Sequence, residues 1–154
     1  MNPMEDTYRT AVATGASGFS LLIALYDTLA GDLRRAAGAQ RAKDLEQRSK
    51  ELNHALRVLA VLESSTDAER GALAQGLVGF YANTRRQILE AQGKQSAEML
   101  EHLMTEVLKL RELWQKMEAK GTTAEPQILP PATRQQPSNP FRTEPERRSS
   151  SWVA

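Results

Sequence analysis

The sequence predicts an all-α protein: an antiparallel up-down four-helix bundle with a short N-terminal segment and a disordered C-terminal tail. Six of the seven prolines lie between residues 126 and 145, and residues 4–125 contain none. That long stretch therefore lacks the residue type that most strongly interrupts helices. It is rich in Ala, Leu, Glu, Gln, Lys and Arg, which favour helices. Its apolar residues recur three and four positions apart, which places them on one face of a helix.

The first two helices are predicted from their caps and apolar stripes. The first begins after Ser17, a residue type that caps helix N-termini, and ends near Gly38, a residue type common at helix C-termini. The second runs from about Asp44 to Glu63. The stripe of the first helix is Phe19, Leu22, Ile23, Tyr26, Leu29 and Leu33. The stripe of the second is Leu45, Leu52, Leu56, Leu59 and Leu62.

The third and fourth helices follow after short connections. The sequence Thr66-Asp-Ala-Glu69 fits a capping box, which predicts that the third helix starts there and runs to about Gly93. The fourth helix begins after Ser96. The third helix has the stripe Leu73, Leu77, Phe80, Tyr81, Thr84 and Ile88. The fourth has the heptad-like seam Leu103, Val107, Leu110, Trp114 and Met117.

These elements divide the chain into three parts. Because the connections are short, neighbouring helices should pack antiparallel in a four-helix domain over residues 17–120. Residues 1–16 form an N-terminal segment, and residues 121–154 form a Pro-rich tail. The tail has few apolar residues to offset the entropy cost of ordering, so we expect it to be disordered. Tyr26 and Tyr81 are expected to be core aromatics whose hydroxyls reach the surface.

Composition excludes several classes of protein. The chain has no cysteine, which excludes disulfide scaffolds, thiolate metal sites and cysteine nucleophiles. Residues 1–120 carry 16 basic and 16 acidic side chains, so the basic excess of a nucleic-acid binder is missing. We see no secretory signal, and the most apolar run, residues 21–25, is too short to span a membrane. The expected location is the cytoplasm, without membrane insertion.

One pattern points to an enzyme. Glu51 and His54 form Glu-x-x-His, the spacing of ligands in ferritin-like di-iron bundles. A complete site needs a second such pair and further carboxylates, and the best second pair, Glu98 and His102, is spaced by four positions instead of three. The ligand set is therefore incomplete, and we expect no metal, no other cofactor and no enzymatic activity.

The apolar surface is the more informative feature. The first two helices are apolar over a wider arc than one bundle seam requires, so something else is expected to cover the extra face. Self-association, such as a homodimer of the free protein, is one solution. A groove that receives an amphipathic segment of a partner is the other. Periodicity alone leaves both open.

Several segments resemble the FliS family of flagellar export chaperones, in the same order and at compatible spacing over about residues 8–118. They are the Tyr8 and Val12 pair, residues 17–27 (Ser-Gly-Phe-Ser-Leu-Leu-Ile-Ala-Leu-Tyr-Asp), residues 52–59, residues 80–91 and residues 110–114. The resemblance implies a chaperone that wraps the C-terminal segment of flagellin, prevents premature polymerisation and delivers flagellin to the type III export gate. FlhA is the implied gate partner. A chaperone for another secreted helical substrate is the alternative within this class.

Partner contacts are expected on the wide apolar faces. The expected contact residues on the first two helices are Leu22, Ile23, Tyr26, Leu52, Leu56 and Leu59, although each position also suits the bundle core. Tyr8 and Val12 lie in a segment too short to hold a core of its own. We expect residues 1–16 to fold back over part of the groove, as the resemblance also implies, and to move when the client binds.

Overall fold

The computed structural model describes residues 18–121, and within them every regular element is helical. The four long helices are α1 (Gly18–Arg41), α2 (Leu45–Ser64), α3 (Ala72–Lys94) and α4 (Ala97–Ala119). A one-turn 3-10 helix, Ala68–Arg70, connects α2 to α3. The predicted all-α four-helix fold is confirmed. The predictions for residues 1–17, including Tyr8 and Val12, and for residues 122–154 lie outside the described part of the chain.

The predicted starts of α2 near Asp44 and of α4 after Ser96 are correct, and both residues act as N-caps. The Asp44 side chain accepts a hydrogen bond from the backbone N–H of Gln47 at the start of α2. The hydroxyl of Ser96 accepts one from the N–H of Met99 at the start of α4. Each cap satisfies one of the backbone donors that the first helical turn leaves without a partner.

The predicted capping box at the start of α3 is wrong. The Thr66 hydroxyl donates to the carbonyl oxygen of Leu62, in the last turn of α2. Asp67 instead caps the 3-10 helix by accepting from the N–H of Glu69. Helix α3 starts only after Gly71, whose φ of 127° lies in a region that other residues rarely adopt. This turn therefore delays α3 by several residues.

The predicted stop at Gly38 is wrong, whereas the predicted end of α3 at about Gly93 is correct to within one residue. Helix α1 continues past Gly38 to Arg41, and α3 continues past Gly93 to Lys94. The left-handed residues that follow these helices are Lys43, with φ 59°, and Gln95, with φ 52°. In α1 the extra turn buries further side chains of the bundle, because Ala39 and Gln40 are both inside.

Polar contacts fix the antiparallel arrangement of α1 with its two main neighbours. At one end of the bundle, the Ser20 hydroxyl of α1 donates to Glu118, near the end of α4. At the other end, Arg41 donates to Glu101, near the start of α4. Helix α2 is antiparallel to α1 as well, because Arg48 near its start donates to Gln40 near the end of α1, and His54 further along pairs with Asp32. Helix α3 contacts α2 and α4. Helix α1 is thus flanked on two sides.

Three large aromatic side chains meet inside the bundle. Tyr26 of α1 lies edge-on to Tyr81 of α3 and to Trp114 of α4, with ring centroids 6.3 and 6.1 Å apart. The two tyrosine hydroxyl oxygens are 2.8 Å apart and buried. The expectation that these hydroxyls reach the surface is therefore wrong, because each hydroxyl finds its partner in the core.

Candidate functional site

An apolar cleft lies between the first half of α3 and the second half of α4. Its volume is about 430 Å³. The lining residues are Ala72, Leu73, Gly76, Leu77, Phe80, Glu106, Lys109, Leu110 and Leu113. Within residues 18–121, we take this cleft as the candidate site, because an open apolar groove is suited to an amphipathic partner.

The cleft exists because the first half of α3 is poorly covered by the rest of the bundle. The four buried residues of α3, from Tyr81 to Ala91, all follow Phe80, the last α3 residue of the cleft lining. Leu73 in the first half is 54% exposed, and Leu113 opposite it on α4 is 42% exposed. Large exposed leucines on facing helices leave apolar surface that no described element covers.

Two glycines, Gly76 and Gly79, reduce the side-chain volume of this part of α3. A Cβ atom added at Gly76 or at Gly79 would meet nothing within 4 Å. Close internal packing therefore does not require either glycine. In a helix interior, each costs roughly 0.5–1 kcal/mol relative to alanine. Gly76 lines the cleft, so the absence of its side chain allows an occupant to approach the α3 backbone.

The rim of the cleft is polar. The ammonium group of Lys109 donates to Glu106 at 2.9 Å, and both residues lie on α4. The hydrogen bond from Lys109 lowers the pKa of the Glu106 carboxyl below its usual value. Since the two charges compensate each other, the cleft has no net charge from these groups. The cleft therefore selects for apolar shape more than for charge.

The structure places most of the predicted contact residues in the core. Leu22, Tyr26, Leu52 and Leu59 are at most 4% exposed. Ile23 and Leu56 are partly buried and pack against the core from its edge. The wide apolar faces of α1 and α2 are therefore not open surface at these positions. Contact between the four buried residues and a partner would require the helices to separate.

Sequence reasoning assigned the cleft residues to the core. Leu73, Leu77 and Phe80 belong to the predicted stripe of α3, and Leu110 belongs to the seam of α4. Two signals could have identified the cleft. One is the pair of glycines beside the α3 stripe. The other is Leu113, an extra leucine beside a seam that Leu110 and Trp114 already occupy.

The Glu-x-x-His pair takes part in a polar cluster between α1 and α2. His54 Nδ1 lies 2.6 Å from the buried carboxylate of Asp32, and the Arg35 guanidinium lies 2.7 Å from its other oxygen. Arg35 also donates to Glu51 at 3.1 Å. Burial raises the pKa of Asp32, while the hydrogen bond with His54 acts in the opposite direction. Both members of the motif thus bind partners on α1.

No metal-binding cluster is visible in the described residues. Within residues 18–121, no group of three or more His, Asp or Glu side chains is arranged to hold a metal ion. His102, of the second candidate pair, is exposed on α4. Across the same residues, no helix combines the length and apolarity of a membrane span.

Comparison with known families agrees with the resemblance seen in the sequence. The sequence model of the family described as flagellar protein FliS matches residues 1–121, most of the 154-residue chain. A comparison with curated proteins gives no match. The matched range includes all four described helices and both walls of the cleft. The chain therefore belongs to the FliS family, flagellar proteins that act as chaperones of flagellin.

Proposed function

We propose that this chain binds the C-terminal amphipathic segment of flagellin in the cytoplasm, prevents its premature polymerisation and delivers it to the type III export gate through FlhA. The main structural support is the apolar cleft between α3 and α4. Family membership supports the class of client. The chemistry required is reversible burial of apolar surface, for which this bundle needs no cofactor.

The shape of the cleft suits a helix laid into a groove. One wall carries Leu73, Leu77 and Phe80 at spacings of four and three along α3. The other wall carries Leu110 and Leu113, three positions apart on α4. At 1.5 Å per residue, the α3 wall is roughly 10 Å long, about two helical turns. A client helix would therefore place two or three apolar side chains in the cleft and extend beyond it.

The predicted contacts on α1 and α2 remain part of this proposal in a restricted form. Ile23 and Leu56 are accessible enough to contact a long client segment as the bundle stands. Leu22, Tyr26, Leu52 and Leu59 would join only if binding opened the helices. A client that wraps the bundle could use the cleft first and the partly buried edge residues afterwards.

Two matched leucines on α3 provide the test. Leu73 lines the cleft, whereas Leu89 lies outside its lining, and both side chains are 54% exposed. Burying a leucine contributes about 1.5–3 kcal/mol, and 1.4 kcal/mol corresponds to tenfold in affinity. Because Leu73 is already half buried, only about half of this is gained on binding, and Leu73→Gln should weaken binding of the flagellin C-terminal segment by about four- to tenfold. Leu89→Gln should leave binding unchanged, and both variants should keep the wild-type melting temperature.

The competing functions predict other outcomes. If wild-type protein binds no flagellin segment in calorimetry, the chaperone proposal fails. If Leu73→Gln instead converts a homodimer to a monomer in native mass spectrometry, the cleft is a self-association surface. If flagellin binds equally to both glutamine variants, the client uses a different face. Co-purification of a ternary complex with the cytoplasmic part of FlhA would test delivery to the export gate.

The N-terminal segment contributes a further part of the proposal. We expect residues 1–16 to cover apolar surface beside α1 and α2 when no client is bound, with Tyr8 and Val12 as the covering side chains. Deleting residues 1–14, or making Tyr8→Ala, should then tighten client binding and lower the solubility of the free protein. A lower melting temperature with unchanged or weaker client affinity would instead identify Tyr8 as a permanent part of the core.

A further inference from the structure

The cleft opens near the point where the described chain ends. Helix α4 forms one wall of the cleft and ends at Ala119, two residues before Gly121. The family match ends at residue 121, so the following residues, 122–154, are outside the shared family domain. These residues are joined directly to one wall of the cleft.

The length of the connection allows a return into the cleft. Leu113 precedes Gly121 by eight positions, and Leu110 precedes it by eleven. At 1.5 Å per residue of helix, these side chains lie about 12 and 17 Å back along α4. From Gly121 to Ile128 there are seven residues, which span up to about 23 Å when extended. Ile128 and Leu129 can therefore reach both leucines on the α4 wall.

The chemistry of this segment fits the cleft. Ile128 and Leu129 are adjacent aliphatic residues between Pro126 on one side and Pro130 and Pro131 on the other. Proline fixes its own φ and disfavours helix in the preceding residue, so the segment is biased towards an extended form. A segment that is already restricted loses less entropy on binding. The cleft offers apolar walls and a compensated rim, which suit two uncharged aliphatic side chains.

We propose that Ile128 and Leu129 of this chain's own tail dock in the cleft between α3 and α4 and occupy it when no client is bound. Docking of the tail does not depend on the proposed function. Competition between the tail and flagellin rests on the proposed function. A tail that forms no core of its own can still place one short apolar motif against the folded domain.

Cross-linking tests the docking directly, because the natural chain contains no cysteine. The probe is full-length protein with Gly76→Cys in the cleft and Gln127→Cys beside the docking pair. Gly76 tolerates a side chain, since its Cβ would meet nothing within 4 Å. Under mild oxidation, we expect an intramolecular disulfide to form several-fold faster than in the same pair carrying Ile128→Asn and Leu129→Asn. Equal rates in the two proteins would mean that the tail only collides with the bundle, and would overturn the proposal.

Two further cysteine pairs separate this segment from other occupants. Gly79→Cys with Gln127→Cys places the α3 cysteine outside the cleft lining, and its disulfide should form more slowly. Gly76→Cys with Ser150→Cys reports instead on the apolar pair Trp152 and Val153 near the chain end. A Ser150 pair that cross-links faster than the Gln127 pair would assign the cleft to the chain end and overturn the proposal.

Competition is tested by titration of the flagellin C-terminal segment into full-length protein. A short tether gives millimolar effective concentrations, and occupancy of the cleft lowers apparent affinity by the closed fraction. The Ile128→Asn and Leu129→Asn double variant should therefore bind the segment about two- to tenfold more tightly. Gln135→Asn with Gln136→Asn, a tail change without apolar loss, should bind as wild type. If the cross-link forms but the double variant binds the segment with unchanged affinity, the tail docks in the cleft without competing with flagellin, and the competition proposal is overturned. If no variant binds the segment, the proposed function itself is refuted.

Discussion

The buried pair of tyrosine hydroxyls should behave as one energetic unit. Tyr26 and Tyr81 are both 0% exposed, and their hydroxyl oxygens are 2.8 Å apart. Burial raises the pKa of both phenols above its ordinary value, so both stay protonated and one donates to the other. Removing one hydroxyl removes the other's partner across the α1–α3 contact. The expected cost of leaving a buried polar group without a partner is about 1–3 kcal/mol.

The magnitudes follow from which groups each variant leaves behind. Tyr81→Phe leaves the Tyr26 hydroxyl in the core without its 2.8 Å partner, and we expect a loss of about 1–3 kcal/mol in the free energy of unfolding. Tyr26→Phe should cost about the same, because it leaves the Tyr81 hydroxyl in the core without its 2.8 Å partner. The double variant removes both polar groups together. Its cost should fall well below the sum of the two single costs.

Urea unfolding followed by tryptophan fluorescence measures this cycle. Trp114 lies edge-on to Tyr26 in the core and reports loss of packing. Trp152 is the other tryptophan of the chain, so the cycle should be run in a Trp152→Phe background. Additive losses in the double variant, within about 0.5 kcal/mol, would refute the coupling of the two hydroxyls. A change in the m-value among the variants would invalidate comparison by midpoint alone.

Three further predictions concern α3 and the α1–α2 cluster. Gly79→Ala and Gly76→Ala should each raise stability by about 0.5–1 kcal/mol in thermal melts, because the added Cβ meets nothing. Only Gly76→Ala should also weaken client binding. Equal client affinity of the two variants would contradict a close approach of the client to Gly76. Burial raises the pKa of Asp32 above its ordinary 3.8, so the unfolded chain ionises first as pH rises. The free energy of unfolding of the wild type should therefore fall relative to that of Asp32→Asn as pH rises from 3.8 through the raised pKa of the folded state. A difference between the two proteins that does not change with pH would contradict this prediction. Glu51→Ala with His54→Ala should leave client binding intact, and purified wild-type protein should hold no stoichiometric iron or manganese in elemental analysis; about two metal ions per chain would support the di-iron alternative.

The helices were predictable because their signals are local. Proline placement, apolar spacing and the helix starts near Asp44 and after Ser96 each depend on a few neighbouring residues, and the structure agrees with them. The errors arose where local signals competed. Thr66 could cap a new helix or bond back to the preceding turn, and its hydroxyl bonds back to Leu62. Gly38 does not end α1, because the next turn still buries side chains in the bundle.

The candidate cleft was not predictable from periodicity, because burial there depends on how α3 sits against its neighbours. Leu77 and Ile88 occupy the same apolar stripe, yet Ile88 is 0% exposed whereas Leu77 lines the open cleft. The difference comes from tertiary coverage, which the stripe does not encode. Leu52 and Leu59 suit a partner surface and the bundle core equally by pattern, and in the free bundle both are fully buried.

The antiparallel contact of α1 with α4 has a mechanical consequence. The start of α1 and the end of α4 lie at the same end of the bundle, joined by the hydrogen bond from Ser20 to Glu118. A force applied to both chain ends would therefore peel the two helices apart turn by turn, instead of shearing all their contacts at once. Ser20–Glu118 would break first, then the Asp27–Arg111 pair, and last the Arg41–Glu101 pair. A pull on both tails would thus open the bundle at low force, beginning at the end where both tails leave it.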